Sequence, residues 1–579
     1  MTHRFAVWAP ERERVDVVVD GARVEMARDQ GGWWSADVAA ASPGSRYGFS
    51  LDGGEPRPDP RSQHQPDGVD GLSAVVDHDA FEWHDERWRG VALPGAVLYE
   101  LHVGTFSSEG TFDGAIARLP HLVELGIDVV ELLPVAEFSG DRGWGYDGVD
   151  LFAPHHAYGG PDGLKRLVDA CHQAGIGVVM DVVYNHLGPA GNHLPEYGPY
   201  FTDRHHTPWG DAVNFDGPGA DEVRRFVVDN ALHWLRHYHC DGLRLDAVHA
   251  IVDESSLHVL EQLDGAVRAL AAQQGRSLFV IAENDTNDPR LVRSVEAGGY
   301  GLDAAWADDW HHAVHRALTG ETSGYYIDFV DEATLPKALR QAWVNDGTWS
   351  ETRGRSHGRS PAGLDPSRFV VCTQNHDQVG NRATGERSAA LMSEGRLHIA
   401  AALLLTSPFT PMLFAGEEWA ASSPFQYFSD HQDPDLARAV SEGRRREFAS
   451  FGWAPDDVPD PQDPATFERS KLRWDELGGA AHQRTLDWYR TLIALRRRLP
   501  ALTDHRVPVE ASLDDGVLRV RRGPVQVVAN LGPGEHRVEA PPGAQVVAAS
   551  PPLDGDAGGR DGLGLPMDSV VVWHEQDGG

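Results

Sequence analysis

Three acidic residues, Asp246, Glu283 and Asp377, stand in the segments GLRLDAVH, VIAEN and TQNHDQVGN, where short apolar runs give way to polar residues. A fourth segment of the same build, DVVYNH, adds Asp181, Asn185 and His186. Arg244 and Asp246 are two residues apart, so on a strand they share one face while Leu243 and Leu245 take the other. A guanidinium beside a carboxylate holds it ionised and oriented, as a nucleophile requires. Glu283 follows Leu278, Phe279, Val280 and Ile281, so desolvation and the charge of Asp246 push its pKa up, as a general acid requires. Two carboxyls separated in this way form the acid and nucleophile pair of glycoside hydrolysis. A covalent, configuration-retaining route would place them about 5–5.5 Å apart. Asp377 is then a third carboxylate, binding sugar hydroxyls and favouring an oxocarbenium-like transition state. Each acid alone could merely cap a helix or pair with an arginine, but four such motifs in order argue for one site. No HExxH or CxxC spacing is present, and Cys171, Cys240 and Cys372 form no ligand pattern, so neither metal nor cofactor is expected.

These residues need elements that bring distant segments to one place. From Gly95 onward, AVLYELHVG, VVELLPV, VVMDVVYN, GLRLDAV, SLFVIAEN, RFVVCTQN and PMLFAGEE alternate with amphipathic stretches such as LKRLVDACHQAG and RRFVVDNALHWLRHY. Such alternation predicts a parallel sheet with crossover helices. With AAWAD near Ala304 as the sixth strand there are eight, which predicts a closed (β/α)₈ TIM barrel with its chemistry at the C-terminal strand ends. A segment at about 187–220, rich in Gly, Pro, His and aromatics, interrupts the pattern. It predicts a long structureless loop, a kind that is usually functional. Before the barrel, RFAVWAP, VDVVVDG, GGWWSADV and SRYGFSLDG predict an N-terminal β-sandwich; after it, VLRVRRG, VQVVANLG and SVVVWHE predict a C-terminal antiparallel β-domain. The expected boundaries are 1–90, 91–498 with the inserted loop, and 499–579.

Composition excludes several partners. The 579 residues carry a formal net charge of −36, which would repel nucleic acid and anionic membrane surfaces but is compatible with a neutral polyol. No run approaches ~20 apolar residues, and the N-terminus has charges where a signal peptide needs an apolar stretch. Three sparse cysteines suit a reducing compartment, so a cytoplasmic protein without a membrane partner is expected. Of the 17 tryptophans most should pack in cores, leaving a minority as platforms for sugar rings.

DVVYNH, GLRLDAVH, IAEN and QNHDQ, in that order, resemble the four signature regions of the α-amylase superfamily, glycoside hydrolase family 13. The resemblance covers roughly residues 95–500 and implies Asp246 as nucleophile, Glu283 as acid/base and Asp377 as transition-state stabiliser. It also implies that Tyr146 of GWGYDG, His186, Arg244 and His376 surround the cleaved sugar. His249, Asn375 and Gln378, in the same motifs, are expected to contact substrate. Asn185 stands where calcium-binding amylases place a ligand, yet no acidic cage follows it, so no calcium is expected. The segment from FAVWAP to YGFSLDG is similar to the β-sandwich of branching, debranching and trehalose-releasing members.

Outside the shared regions, GLDAAWADDWHHAVHRALTGETSGYYIDF, SHGRSPAG, TPMLFAGEEWAASSPFQYFSDH and GRRREF resemble one branch of the superfamily. Members of that branch hydrolyse the α-1,4 bond next to the terminal trehalose of a maltooligosyltrehalose. The likeness implies a wall that recognises trehalose, for which Asp308, Asp309, Trp310 and His311 are candidates, with Trp209 as a stacking surface. Ordinary packing is the alternative for Trp209 and Trp310. A maltooligosyltrehalose synthase is the implied functional partner, with no stable complex. Two other readings stay open. A glycogen branching or debranching enzyme would share the four regions, and a non-catalytic glucan-binding protein would share the scaffold but should have lost a catalytic acid.

Overall fold

The computed structural model describes residues 2–39, 41–207, 210–449, 457–552 and 562–575. Its centre is a closed barrel of eight parallel strands: β1 (Leu98–Leu101), β2 (Val129–Leu132), β3 (Gly177–Val182), β4 (Gly242–Leu245), β5 (Phe279–Ala282), β6 (Ala304–Trp306), β7 (Phe369–Cys372) and β8 (Thr410–Phe414). Each strand pairs with the next and β8 closes on β1. The strands are short and buried on both faces, as a barrel wrapped by helices demands. Leu98, Val129, Val179, Ile281, Ala304, Val370 and Met412 fill the interior as one cluster. Leu243 and Leu245 belong instead to the large outer cluster with Val259 and Leu263 of the crossover helix α1 (Val259–Gln274). The alternation therefore turns Arg244 inward, as its spacing predicts.

Two antiparallel sheets precede the barrel. One joins His3–Trp8, Trp33–Val38 and Ala27–Arg28; the other is built on Val15–Val19 between Ala22–Glu25 and Arg46–Leu51. A five-stranded antiparallel sheet follows it, from Val509–Asp514 to Ser569–Glu575. That sheet is tied to the barrel by Arg522, which donates to the Ser407 carbonyl at 2.7 Å, and by Arg396 paired with Asp568 at 2.9 Å.

The segment after β3 departs from expectation. It is not structureless: it holds a helical turn, Leu194–Tyr197, and a hairpin of Phe201–Thr207 with Gly210–Val213. Its aromatic and acidic side chains dock on the N-terminal sheets. Tyr197 Oη donates to the Pro58 carbonyl at 2.7 Å, and Arg57 bonds Glu196 at 3.0 Å. The rings of Trp8 and Tyr200 meet edge-on at 5.5 Å. A segment rich in aromatics folds once another surface covers them, and here FAVWAP supplies part of that surface.

Candidate active site

The C-terminal ends of β3, β4, β5 and β7 converge on a cavity of about 530 Å³ lined by Tyr146, His186, Arg244, Asp246, His249, Glu283, His376 and Asp377, among others. Arg244 is its organising cation, with a side chain 1% exposed. One terminal nitrogen, Nη1, donates to both oxygens of Asp181 and to Asp246 Oδ1, each at 2.8 Å. The other, Nη2, lies 3.3 Å from Glu283 Oε2. The guanidinium also sits 4.2 Å from the ring centroid of Trp306, which covers it from the β6 side. Asn185 Nδ2 donates to Asp246 Oδ2 at 2.7 Å and to its carbonyl at 2.9 Å. Both oxygens of Asp246 are thus held by named donors, which fixes the plane of the carboxylate.

Glu283 is treated differently. Burial is the main cause that raises its carboxyl well above the ordinary range; Arg244 opposes it, and Asp246 and Asp377 add to it. Glu283 Oε2 accepts the Ala247 N–H at 2.5 Å. Ala247 has φ of 39°, in the left-handed region that a residue with a side chain seldom occupies. A strained backbone at a site is sustained only when its surroundings over-determine it. Here the strained peptide aims its N–H at Glu283 Oε2.

His376 is anchored from below by Glu100 of β1: its Nδ1 lies 2.6 Å from Glu100 Oε1, and its backbone N–H reaches Oε2 at 2.9 Å. Burial opposes charge on His376, but the neighbouring Glu100 prevails and raises its pKa. Its Nε2 meets Tyr146 Oη at 2.8 Å, and that hydroxyl donates to Asp181 at 2.7 Å. A continuous polar chain therefore runs from Glu100 through His376, Tyr146 and Asp181 to Arg244. His186, by contrast, has its pKa lowered by burial and meets the cavity as a neutral ring.

Most residues expected at the site reach it, but not all. Asp308 stands beside it, with Gln378 Nε2 donating to its Oδ1 at 3.4 Å, and burial with Asp377 and Asp309 pushes its pKa up to about 7. Asp309, Trp310 and His311 do not line the cavity. They are the first turn of helix α2 (Asp308–Thr319), where successive side chains step by about 100° and cannot form one wall. Asp309 accepts from Asn287, from Asn345 and from the backbone of Val344 and Asn345 at 2.7–3.1 Å. Trp310 is fully buried, and His311 Nδ1 lies 2.8 Å from the Thr373 carbonyl. Asn375 is a helix cap, accepting from the N–H groups of Asp377 and Gln378, and Gln378 completes the capping box. Trp209 lies outside the described residues.

Several residues that line or support the cavity are not among those expected from the sequence. Strand alternation places Glu100 on the interior face with Leu98, opposite Tyr99 and Leu101, but an acid there has no motif around it. Trp306 looked like any strand aromatic. Arg444 and Glu447, one turn apart on helix α3 (Pro434–Ala449), enter the cavity from GRRREF with Tyr427 and Asp430. Arg444 lies 5.1 Å from the ring centroid of Tyr427. No local motif distinguishes Arg444 from its two arginine neighbours.

Comparisons with known proteins give the family and agree with the fold. Residues 73–197 match the family model of the alpha amylase catalytic domain, and residues 1–65 match carbohydrate-binding module 48, the isoamylase N-terminal domain. A malto-oligosyltrehalose trehalohydrolase of Arthrobacter ramosus is 53% identical over 542 residues, covering 92% of this chain and 94% of the relative. One of Mycobacterium tuberculosis is 48% identical over 569 residues, covering 95% and 96%. Among solved structures, a Salmonella typhimurium protein taken for an alpha amylase superposes with a TM-score of 0.90 at 39% identity, covering 99% of this chain and 98% of its own. A pullulanase of Paenibacillus barengoltzii, at 22% identity, TM-score 0.72 and coverage of 100% and 93%, shares the fold.

Proposed function

The chain belongs to the malto-oligosyltrehalose trehalohydrolases of the α-amylase superfamily, and on that premise we propose that Asp246, Glu283 and Asp377 carry its hydrolytic chemistry. The reaction is hydrolysis of the α-1,4-glucosidic bond next to the terminal trehalose of a maltooligosyltrehalose, giving trehalose and a maltooligosaccharide. Asp246 attacks the anomeric carbon while Glu283 protonates the departing oxygen of trehalose. The covalent intermediate is then hydrolysed by water that Glu283 deprotonates, and configuration is retained. Asp377 binds ring hydroxyls as positive charge develops at the anomeric centre. Tyr146, His186, Arg244, His249 and His376 shape the subsite of the cleaved sugar, and Asp308 with Gln378 faces the leaving group. Asn375 acts through the helix that it caps.

One observation carries this reading: a single buried guanidinium touches both Asp246 and Glu283, yet only Asp246 has both oxygens held by strong donors. That asymmetry gives one carboxyl the nucleophile's environment and the other the acid's. The three units at 1–90, 91–498 and 499–579 serve as glucan-binding module, catalytic barrel and C-terminal support. A maltooligosyltrehalose synthase supplies the substrate. No described helix is long and apolar enough to cross a membrane, and the three cysteines, buried and unbridged, suit a reducing cytoplasm.

Product analysis tests the reading. Purified protein is incubated separately with maltopentaose and with maltotriosyltrehalose, and the released sugars are separated by chromatography. Rapid trehalose release from the second substrate and slow attack on the first are expected. Equal cleavage of both would remove the trehalose specificity, and new α-1,6 links would point to a branching enzyme.

A further inference from the structure

Beside the loop that carries Tyr146 lies a second polar group that the hydrolytic chemistry does not use. Glu137 and Asp150 face each other in register on the short antiparallel strands Ala136–Glu137 and Asp150–Pro154. Both are buried, at 0% and 5% exposure. His155 and His156 follow directly after the second of these strands. Glu137 Oε1 lies 2.7 Å from His156 Nδ1 and 3.2 Å from His155 Nδ1. One ligating atom from each of the three residues lies within 4.8 Å of the other two.

Hydrogen bonding accounts for only half of this group. His156 is bonded through its Nδ1 to Glu137 and through its Nε2 to Asp141 at 3.2 Å. His155 is fully buried, with its ring stacked at 3.8 Å on Phe138, and neither ring nitrogen makes a hydrogen bond. Its Nδ1 lies close to Glu137 Oε1 without the alignment that a hydrogen bond requires. Asp150 Oδ2 is likewise buried without a partner. Buried polar atoms are almost always satisfied, and one that is not calls for a water or an ion.

We propose that Glu137, His155 and His156 bind one divalent cation of the zinc class, with Asp150, the register partner of Glu137, placed to supply a further oxygen. Two imidazole nitrogens and a carboxylate suit zinc or another late first-row ion, whereas calcium and magnesium take oxygen ligands. The ion's role is structural. Glu137 immediately precedes Phe138 and Ser139 of the cavity wall, and His156 reaches Asp141, so the cation fastens the loop that presents Trp144 and Tyr146. The expectation of no metal rested on missing HExxH and CxxC spacings; two adjacent histidines and a glutamate eighteen residues upstream of the first form no such signature.

The full-length protein, stripped with a chelator and dialysed against Zn²⁺, is assayed for bound metal by mass spectrometry. One tightly held zinc per chain is expected, and Co²⁺ in its place should give visible absorption bands of a low-coordinate nitrogen–oxygen site. His155→Gln and His156→Gln should each weaken zinc by at least the ~10–100-fold that losing an outer hydrogen-bond partner of a ligand costs. Asp246→Asn should leave zinc content unchanged. Should a histidine variant fail to fold, diffraction from wild-type crystals at the zinc edge decides, with the peak expected between Glu137, His155 and His156. A wild-type protein that retains no zinc would overturn the proposal. So would zinc retained equally by both folded histidine variants, or an anomalous peak only at the more exposed His205, Asp216 and Glu254.

Discussion

The end of β4 and the start of helix α2 both hold polar residues in close succession, yet one delivers its chemistry to the cavity and the other delivers a single residue. In LRLDA the strand's period of two sends Arg244 and Asp246 to one side and the leucines to the other. In ADDWHH the helix has already begun at Asp308, and each further residue turns by about 100°. Asp308 therefore faces the site, while Asp309 ties the β5 loop to the Val344–Asn345 turn, Trp310 fills the core and His311 meets β7. Polar composition names a region; only the period of the element says which residues share a side.

The largest test of the contrast falls on β4 and β5. Asp246→Asn should lower kcat for trehalose release by at least ~10⁴-fold, because a covalent role is removed. Glu283→Gln should cost about 10²–10⁴-fold. Its pH profile carries the sign: burial, reinforced by Asp246 and Asp377 against Arg244, raises the Glu283 pKa, and the protonated form is the acid. Wild-type activity should therefore fall as pH rises through that raised value, and Glu283→Gln should lose this alkaline limb. Near-normal rates in either variant would break the assignment of the strand ends.

Next come the two neighbours on α2. Asp308→Asn should reduce kcat/KM for maltotriosyltrehalose by about tenfold, or ~1.4 kcal/mol, with an unchanged melting curve. Since the pKa of Asp308 is raised to about 7, mainly by burial, its neutral form prevails below that pH. Wild-type KM should therefore change between mildly acid and mildly alkaline conditions, and the Asn variant should be flat. Asp309→Ala should do the reverse. It strands buried donors on Asn287, Val344 and Asn345, costing about 3 kcal/mol in urea melts, with substrate preference unaltered. If both variants altered specificity alike, the helical argument would fail.

The smallest effect is expected at Asn375. Asn375→Ala removes the cap of the helix carrying His376 and Asp377, costing about 1 kcal/mol, with only a few-fold loss in kcat. A loss as large as that of Asp246→Asn would instead make Asn375 a direct contact to substrate.

Much of this was legible in the chain, for reasons tied to particular residues. Most of the eight strands announce themselves as short β-branched runs; AAWAD, with only three paired residues, is the weakest of them, and the count of eight that points to a closed barrel depends on it. Asp246, Glu283 and Arg244 were legible because strand alternation and apolar flanks fix their facing and burial. What was not legible depended on contacts between segments far apart. The sequence gives Asn185 no role once calcium is set aside, whereas its amide holds Asp246, sixty-one residues later. The region around 187–220 was read as structureless because its partner surface, Trp8 and Pro58, lies in another domain. Arg444 and Glu447 come from a helix with no chemical signature, and only folding reveals which of three consecutive arginines faces inward.

The carboxyls crowded at the barrel mouth carry one last consequence. The lining of the cavity includes six acidic side chains, Asp147, Asp246, Glu283, Asp377, Asp430 and Glu447, against the guanidiniums of Arg142, Arg244 and Arg444. A neutral glucan feels little of that imbalance until its anomeric carbon becomes electron-poor. A protonated amine shaped like a glucose ring feels it at once, in a cleft where the field is poorly screened. Iminosugars, and even hydroxylated amine buffers, should therefore lodge in the site as competitive inhibitors.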